Sequence, residues 1–222
     1  MDKQHVIAIH MIVIIIFIAC VMMNWPMRPG LPIDTAPIER MDYISDHLWI
    51  WKLGWFTWML SALGLLTFCL ILFHQLSPSL LAKVGIIVVA IGIAPDLTAE
   101  VLYAFVLPYL AALGDEASFL LFERIASYLT GFLGNGLYNI GGLLITLVAN
   151  QQKRLPHWVF AWGITSWALG IGLSLAMAAE SIKWAEIMTA ISMILSTVWM
   201  LLIAHTLLQP QTSTHHDRIH TS

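Results

Sequence analysis

Charge is scarce in this sequence. Of 222 residues, 10 are Lys or Arg and 13 are Asp or Glu, a charged share of 10%, whereas soluble domains run at about a quarter. That scarcity excludes a water-soluble globular protein. Basic clustering is absent too: nothing exceeds the pair Lys153-Arg154, and the formal net charge is −3. The positive footprint that holds nucleic acid is therefore missing. Cysteine is nearly absent, and Cys20 and Cys69 both lie inside apolar runs, where a thiol packs as a small hydrophobe and offers no disulfide framework. The chain also lacks G-x-S-x-G, H-E-x-x-H, C-x-x-C, a P-loop and a dinucleotide glycine fingerprint. Nothing in it supports a named enzyme class, and the reading leans away from an enzyme.

What the chain has is apolar length. Five intervals between charged residues, 4–27, 53–82, 125–152, 155–179 and 187–216, each suffice to cross a bilayer, and a sixth, 84–114, is interrupted only by Asp96 and Glu100. At about 20 residues per crossing, the fold class is all-α: a polytopic integral membrane bundle of six transmembrane helices. The expected spans are 6–23, 48–73, 84–112, 118–149, 157–179 and 185–208, within a single membrane domain over 1–222. The first span is rich in β-branched residues, but in lipid only helices and closed barrels satisfy the backbone. Phe17-Ile18-Ala19-Cys20 is similar to a lipoprotein cleavage box, except that Phe17 replaces the usual aliphatic residue. With no A-x-A-like site following, the segment reads as a retained first span.

The connection over 24–47 carries Pro26, Pro29, Pro32 and Pro37, too many for helix before Pro37. From Pro37 onward, Ile38, Met41 and Ile44 recur at three-residue spacing, which predicts a short interfacial helix. Trp49, Trp51, Trp55 and Trp58 open the second span as an aromatic girdle would, a ligand cage being the alternative. Pro95 and Pro108 predict kinks in the third span, and Gly114-Asp115-Glu116 a sharp turn. Gly163, Gly170, Gly172, Ser192, Ser196 and Thr197 in the last two spans read as small residues that let helices approach. The tail over 209–222 reads as disordered.

Six spans leave both termini on one side. Basic residues divide evenly, with Lys3, Lys83, Lys153, Arg154 and Arg218 on that side against Arg28, Arg40, Lys52, Arg124 and Lys183 on the other. The termini side crowds its share into shorter loops, so the expected location is a bacterial inner membrane with both termini cytoplasmic.

The sharpest chemical feature is Asp96 with Glu100, four apart on one face of an otherwise uncharged helix, with Tyr103 one turn on. An intramembrane ionisable group costs at least about 2.5 kcal/mol, so partners are expected. Folding the hairpin about residue 115 sets Glu100 level with residue 130 and Asp96 level with residue 134, opposite Thr130, Asn135, Tyr138 and Asn139. Gly131, Gly134, Gly136, Gly141 and Gly142 permit close approach there. The candidate site is thus a polar cluster of Asp96, Glu100, Tyr103, Thr130, Asn135, Tyr138 and Asn139. As function, the carboxyl pair shares or relays a proton beside a small-molecule site. As structure, it is helix glue aided by Arg124, or Glu100 sits at the aqueous boundary.

His10, His74, His157 and His205 come from four spans or their ends, and His215, His216 and His220 from the tail. No pair on a span shows ligand spacing such as i, i+4, and a metal contact in the tail would be unspecific, so no metal site is assigned and the cofactor is left unknown. The leading expectation is a small-molecule or proton-linked binding or carrier protein. The alternatives are a non-catalytic membrane subunit or assembly factor, and a haem or redox membrane protein. Expected partners are the lipid bilayer and either a small-molecule ligand or another membrane protein.

Overall fold

A computed structural model describes residues 3–33 and 35–208. Among the described residues there are no strands, and seven helices follow in order: α1 (Lys3–Asn24), α2 (Pro37–Asp46), α3 (Leu48–His74), α4 (Leu80–Leu113), α5 (Glu116–Gln151), α6 (His157–Ala178) and α7 (Ile182–Leu208). All but α2 are long and apolar enough to cross a membrane. The chain is a multi-pass integral membrane helix bundle. The expected tail, with its three histidines, lies outside the described residues.

The helices run a few residues beyond the apolar stretches because polar caps lie outside the hydrophobic run. The Ser79 hydroxyl accepts from the amide of Ala82 at the start of α4, and the Asp115 carboxylate accepts from the amide of Ser118 at 3.1 Å at the start of α5. Between them Gly114 closes α4 at φ 68°, the left-handed conformation that glycine adopts without a side-chain clash.

α4 and α5 pair along most of their length because glycine lets their backbones touch. A Cβ on Gly85 would sit 2.9 Å from the Gly141 carbonyl oxygen, and one on Gly92 would sit 2.7 Å from the Tyr138 nitrogen and 2.9 Å from the Gly134 oxygen. Each step along α4 is matched by an equal step back along α5, which brings Thr130 opposite Asp96. Asp96 also stands level with Gly134, where a Cβ would lie 3.1 Å from the Asp96 Cβ, as folding about residue 115 sets it. Both arms of the hairpin carry a π-helical segment, Leu102–Val106 in α4 and Tyr128–Gly134 in α5, so the extra residue on one side is matched on the other.

Two further expectations are corrected. Of the four tryptophans opening α3, only Trp49 is well exposed; Trp51 and Trp55 are buried against α4, and Trp58 turns inward. Apolar burial against Tyr103 wins over interfacial placement here: the Trp55 ring stacks on the Tyr103 ring at 4.1 Å. In α2, Met41 and Ile44 face inward but Ile38 is exposed, and the buried stripe includes Arg40 at 3% exposure. Arg40 is held there by a buried ion pair with Glu123 of α5 and lies over the Phe119 ring at 5.5 Å.

Candidate functional site

Near the middle of the bundle all six spans line one chamber of about 80 Å³. Its walls take Ile16 from α1, Ser61 from α3, Asp96 from α4, Asn135 and Asn139 from α5, Ser166 and Gly170 from α6, and Ser192 and Ser196 from α7. Trp58, Tyr138, Trp167, Met193 and Met200 supply rings and thioethers. Ser61 is at the centre of the 48–74 helix, Asp96 near the centre of 80–113 and Ser192 and Ser196 near the centre of 182–206, so the chamber sits at mid-membrane depth.

Each polar side chain is placed by its helix. The Thr130 hydroxyl donates to the Asp96 carboxylate across the α4–α5 seam. Asn135 Nδ2 donates to the Gly170 carbonyl at 2.6 Å and to Ser174 Oγ at 2.8 Å, tying α5 to α6. One turn on, Asn139 Nδ2 donates to the Asn135 carbonyl at 2.7 Å and to Asn135 Oδ1 at 3.0 Å. The absence of a side chain at Gly170 leaves the space that Asn139 occupies.

A polar seam continues from Asp96 toward the α2 side of the bundle. Glu100 is 3% exposed, and its Oε2 has no hydrogen-bond partner among the described residues. One turn further, the Tyr103 hydroxyl shares a 2.8 Å hydrogen bond with Ser127 Oγ, which in turn donates to the Glu123 carbonyl at 2.9 Å. The Glu123–Arg40 pair completes the line.

The seven sequence-selected residues are thus divided. Asp96, Asn135, Tyr138 and Asn139 line the chamber, and Thr130 supports Asp96 from the seam. Glu100 and Tyr103 lie along the seam outside the chamber wall. Glu100 is not at an aqueous boundary, being as buried as Arg40. Arg124 is no partner to the acidic pair: it points outward to Glu180, where the Tyr128 hydroxyl and the Arg124 guanidinium hold the Glu180 carboxyl below its usual range. Ser61, Ser166 and the pairing of Arg40 with Glu123 escape a reading made span by span, which takes Trp58 for the girdle and Ser192 and Ser196 for packing. Ser192 with Ser196, and Ser166 with Gly170 and Ser174, do recur at four-residue spacing, a polar face visible in the sequence once spans are compared.

The His74 ring meets that of His5 edge-on at 6.2 Å, but His10, His74, His157 and His205 form no common ligand set. His10, His74, His157 and His205 are all exposed, and His10 Nδ1 is engaged with the Val6 carbonyl oxygen at 2.8 Å. Among the described residues, no group of three His, Cys, Asp or Glu is placed to hold a metal ion. Comparison of the chain with family models, with characterised proteins and with solved structures gives no match.

Proposed function

We propose that this membrane protein binds or carries a small molecule in a proton-linked manner, with the mid-membrane chamber as its site and Asp96 as the group that takes up either a proton or the ligand's charge. The observation that supports this reading is the chamber itself: six helices from one end of the chain to the other each contribute to it, and a carboxyl group stands in its wall. Ionisable groups inside spans mark ion or substrate paths by default. Binding sites between helices of a bundle are concave and mostly apolar with a few converging polar groups, as here. Glu100, buried one turn away with an oxygen to spare, is the second proton-carrying group in this reading. The same reading treats residues 1–222 as one membrane domain in a bacterial inner membrane. It places both termini in the cytoplasm, since the basic residues on that side lie in the shorter loops.

The test is native mass spectrometry with an absorption spectrum on protein extracted gently from its own membrane, followed by Asp96→Asn and Glu100→Gln. The expected result is a retained small molecule whose binding depends on pH in the wild type and loses that dependence in both folded variants. A bare chain accompanied only by a stoichiometric polypeptide would sink the reading in favour of a membrane subunit.

A further inference from the structure

The hydrogen-bond inventory of the chamber is lopsided. Each of its four serines gives its proton to its own helix: Ser61 to the Thr57 carbonyl at 2.9 Å, Ser166 to Trp162 at 3.0 Å, Ser192 to Thr189 at 3.1 Å and Ser196 to Met193 at 3.1 Å. A hydroxyl used this way has only lone pairs left to offer. The amide donors are used as well, since both Asn135 Nδ2 bonds go to α6 and both Asn139 Nδ2 bonds go to Asn135. Trp167 Nε1 is taken by Thr146 Oγ1 at 2.9 Å, and the Thr130 hydroxyl by Asp96. The acceptors still open are the four serine oxygens, the Asn139 carbonyl oxygen and the Asp96 carboxylate. Among the described residues lining the chamber, the donors still open are Trp58 Nε1 and the Tyr138 hydroxyl.

Such a chamber complements a donor-rich cation. Its remaining wall is apolar, built from Ile16, Ala62, Leu65, Met193 and Met200 with the rings of Trp58 and Tyr138. A hydrated metal ion gains nothing from that wall, whereas an alkyl group does, and an ammonium head is attracted to ring faces. Size sets the upper limit. An apolar cavity of about 150 Å³ holds benzene, so a chamber of about 80 Å³ has room for about three or four heavy atoms. Resting on the reading of the chamber as a ligand site, we infer that its ligand is a small primary ammonium ion, its N–H groups shared among the serine oxygens and its charge facing Asp96.

The test uses the full-length protein in lipid nanodiscs at neutral pH and constant ionic strength. Methylammonium and ethylammonium are compared with ethanol, acetamide, acetate and sodium, read by the thermal unfolding midpoint and by titration calorimetry. The expected result is a saturable rise in midpoint with the two ammonium ions alone. Asp96→Asn removes that rise. Ser166→Ala and Ser192→Ala each weaken binding by about tenfold, the loss of one hydrogen bond to a charged group, and carry the test should the aspartate variant fail to fold. A response to acetamide, ethanol or acetate without one to the ammonium ions overturns the assignment while leaving a ligand-binding protein. An equal response to sodium overturns the alkyl part of the argument. Silence from every probe, together with a chain that leaves its own membrane carrying no small molecule, overturns both this inference and the reading beneath it.

Discussion

The indole Nε1 of Trp51 donates at 2.7 Å to the carbonyl oxygen of Tyr103. That oxygen is free because of a proline. In the π segment the amide of Leu107 reaches back five residues to the Leu102 carbonyl, and the next bond in that series would come from residue 108, where proline has no N–H. Trp51 supplies the missing donor from a neighbouring helix. Replacing Trp51 with Phe keeps most of the buried ring and strands the carbonyl, so a loss of about 1–3 kcal/mol is expected. Thermal unfolding in detergent checks it, and an unchanged midpoint would show that water or backbone adjustment satisfies the oxygen instead.

The Arg40–Glu123 pair holds α2 to α5, with both side chains buried. Breaking one half leaves an uncompensated buried charge, so Arg40→Met or Glu123→Leu alone is expected to cost about 3–5 kcal/mol. The double variant should recover most of that, because two apolar side chains of similar volume carry no desolvation penalty. A double-mutant cycle on unfolding midpoints decides the matter; additive losses would mean the pair is not coupled.

Gly92 and Gly172 make a matched contrast. At Gly92 a methyl group meets α5 backbone at 2.7–2.9 Å, whereas at Gly172 the nearest atom is Met188 Sδ at 3.7 Å. Gly92→Ala is expected to destabilise by about 1–3 kcal/mol through forced separation of α4 from α5. Gly172→Ala should be neutral or stabilising by up to about 1 kcal/mol through reduced chain entropy. Equal midpoints for the two variants would contradict the close backbone contact.

Asp115 lies outside the spans and caps α5. Its hydrogen bonds from Ser118 hold its carboxyl below the ordinary value of 3.8. A carboxyl lowered on folding contributes stability that is fully present above its unfolded value and is lost as pH falls through the folded one. Asp115→Asn keeps a capping oxygen but cannot titrate. The wild type should therefore lose stability relative to this variant as pH drops below about 4, measured as paired midpoints across an acid series; parallel curves would remove the cap from the acid response.

The six spans were legible because lipid imposes a simple rule on charge, and the gaps between charged residues mark them without any knowledge of packing. The hairpin register was legible as well, since the short turn at Gly114 sets Asp96 level with Gly134. The π segments Leu102–Val106 and Tyr128–Gly134 were not, for nothing in their residues announces them except the proline that follows the first. Arg40 reads as an interfacial cation because its partner, Glu123, is 83 residues away and adjacent to Arg124, which truly faces outward. Ser192 and Ser196 read singly as packing residues. Only the convergence of the four chamber serines from three helices, which is a tertiary fact, turns them into a polar wall.

Because the chamber draws on Ile16 at one extreme and Met200 at the other, it has no wall of its own until the last helix has entered the bilayer. During synthesis Asp96 and Glu100 reach the membrane well before Ser166, Ser192 and Ser196 exist. In that interval the two carboxyls have α3, which packs on α4, and then the hairpin formed with the next helix, through Thr130 and the paired glycines. The α4–α5 hairpin accordingly supplies the first side-chain hydrogen-bond donor to Asp96. A ribosome stalled between the fifth and sixth crossings would present an intermediate in which Thr130 holds Asp96 while the chamber still lacks Ser192 and Ser196.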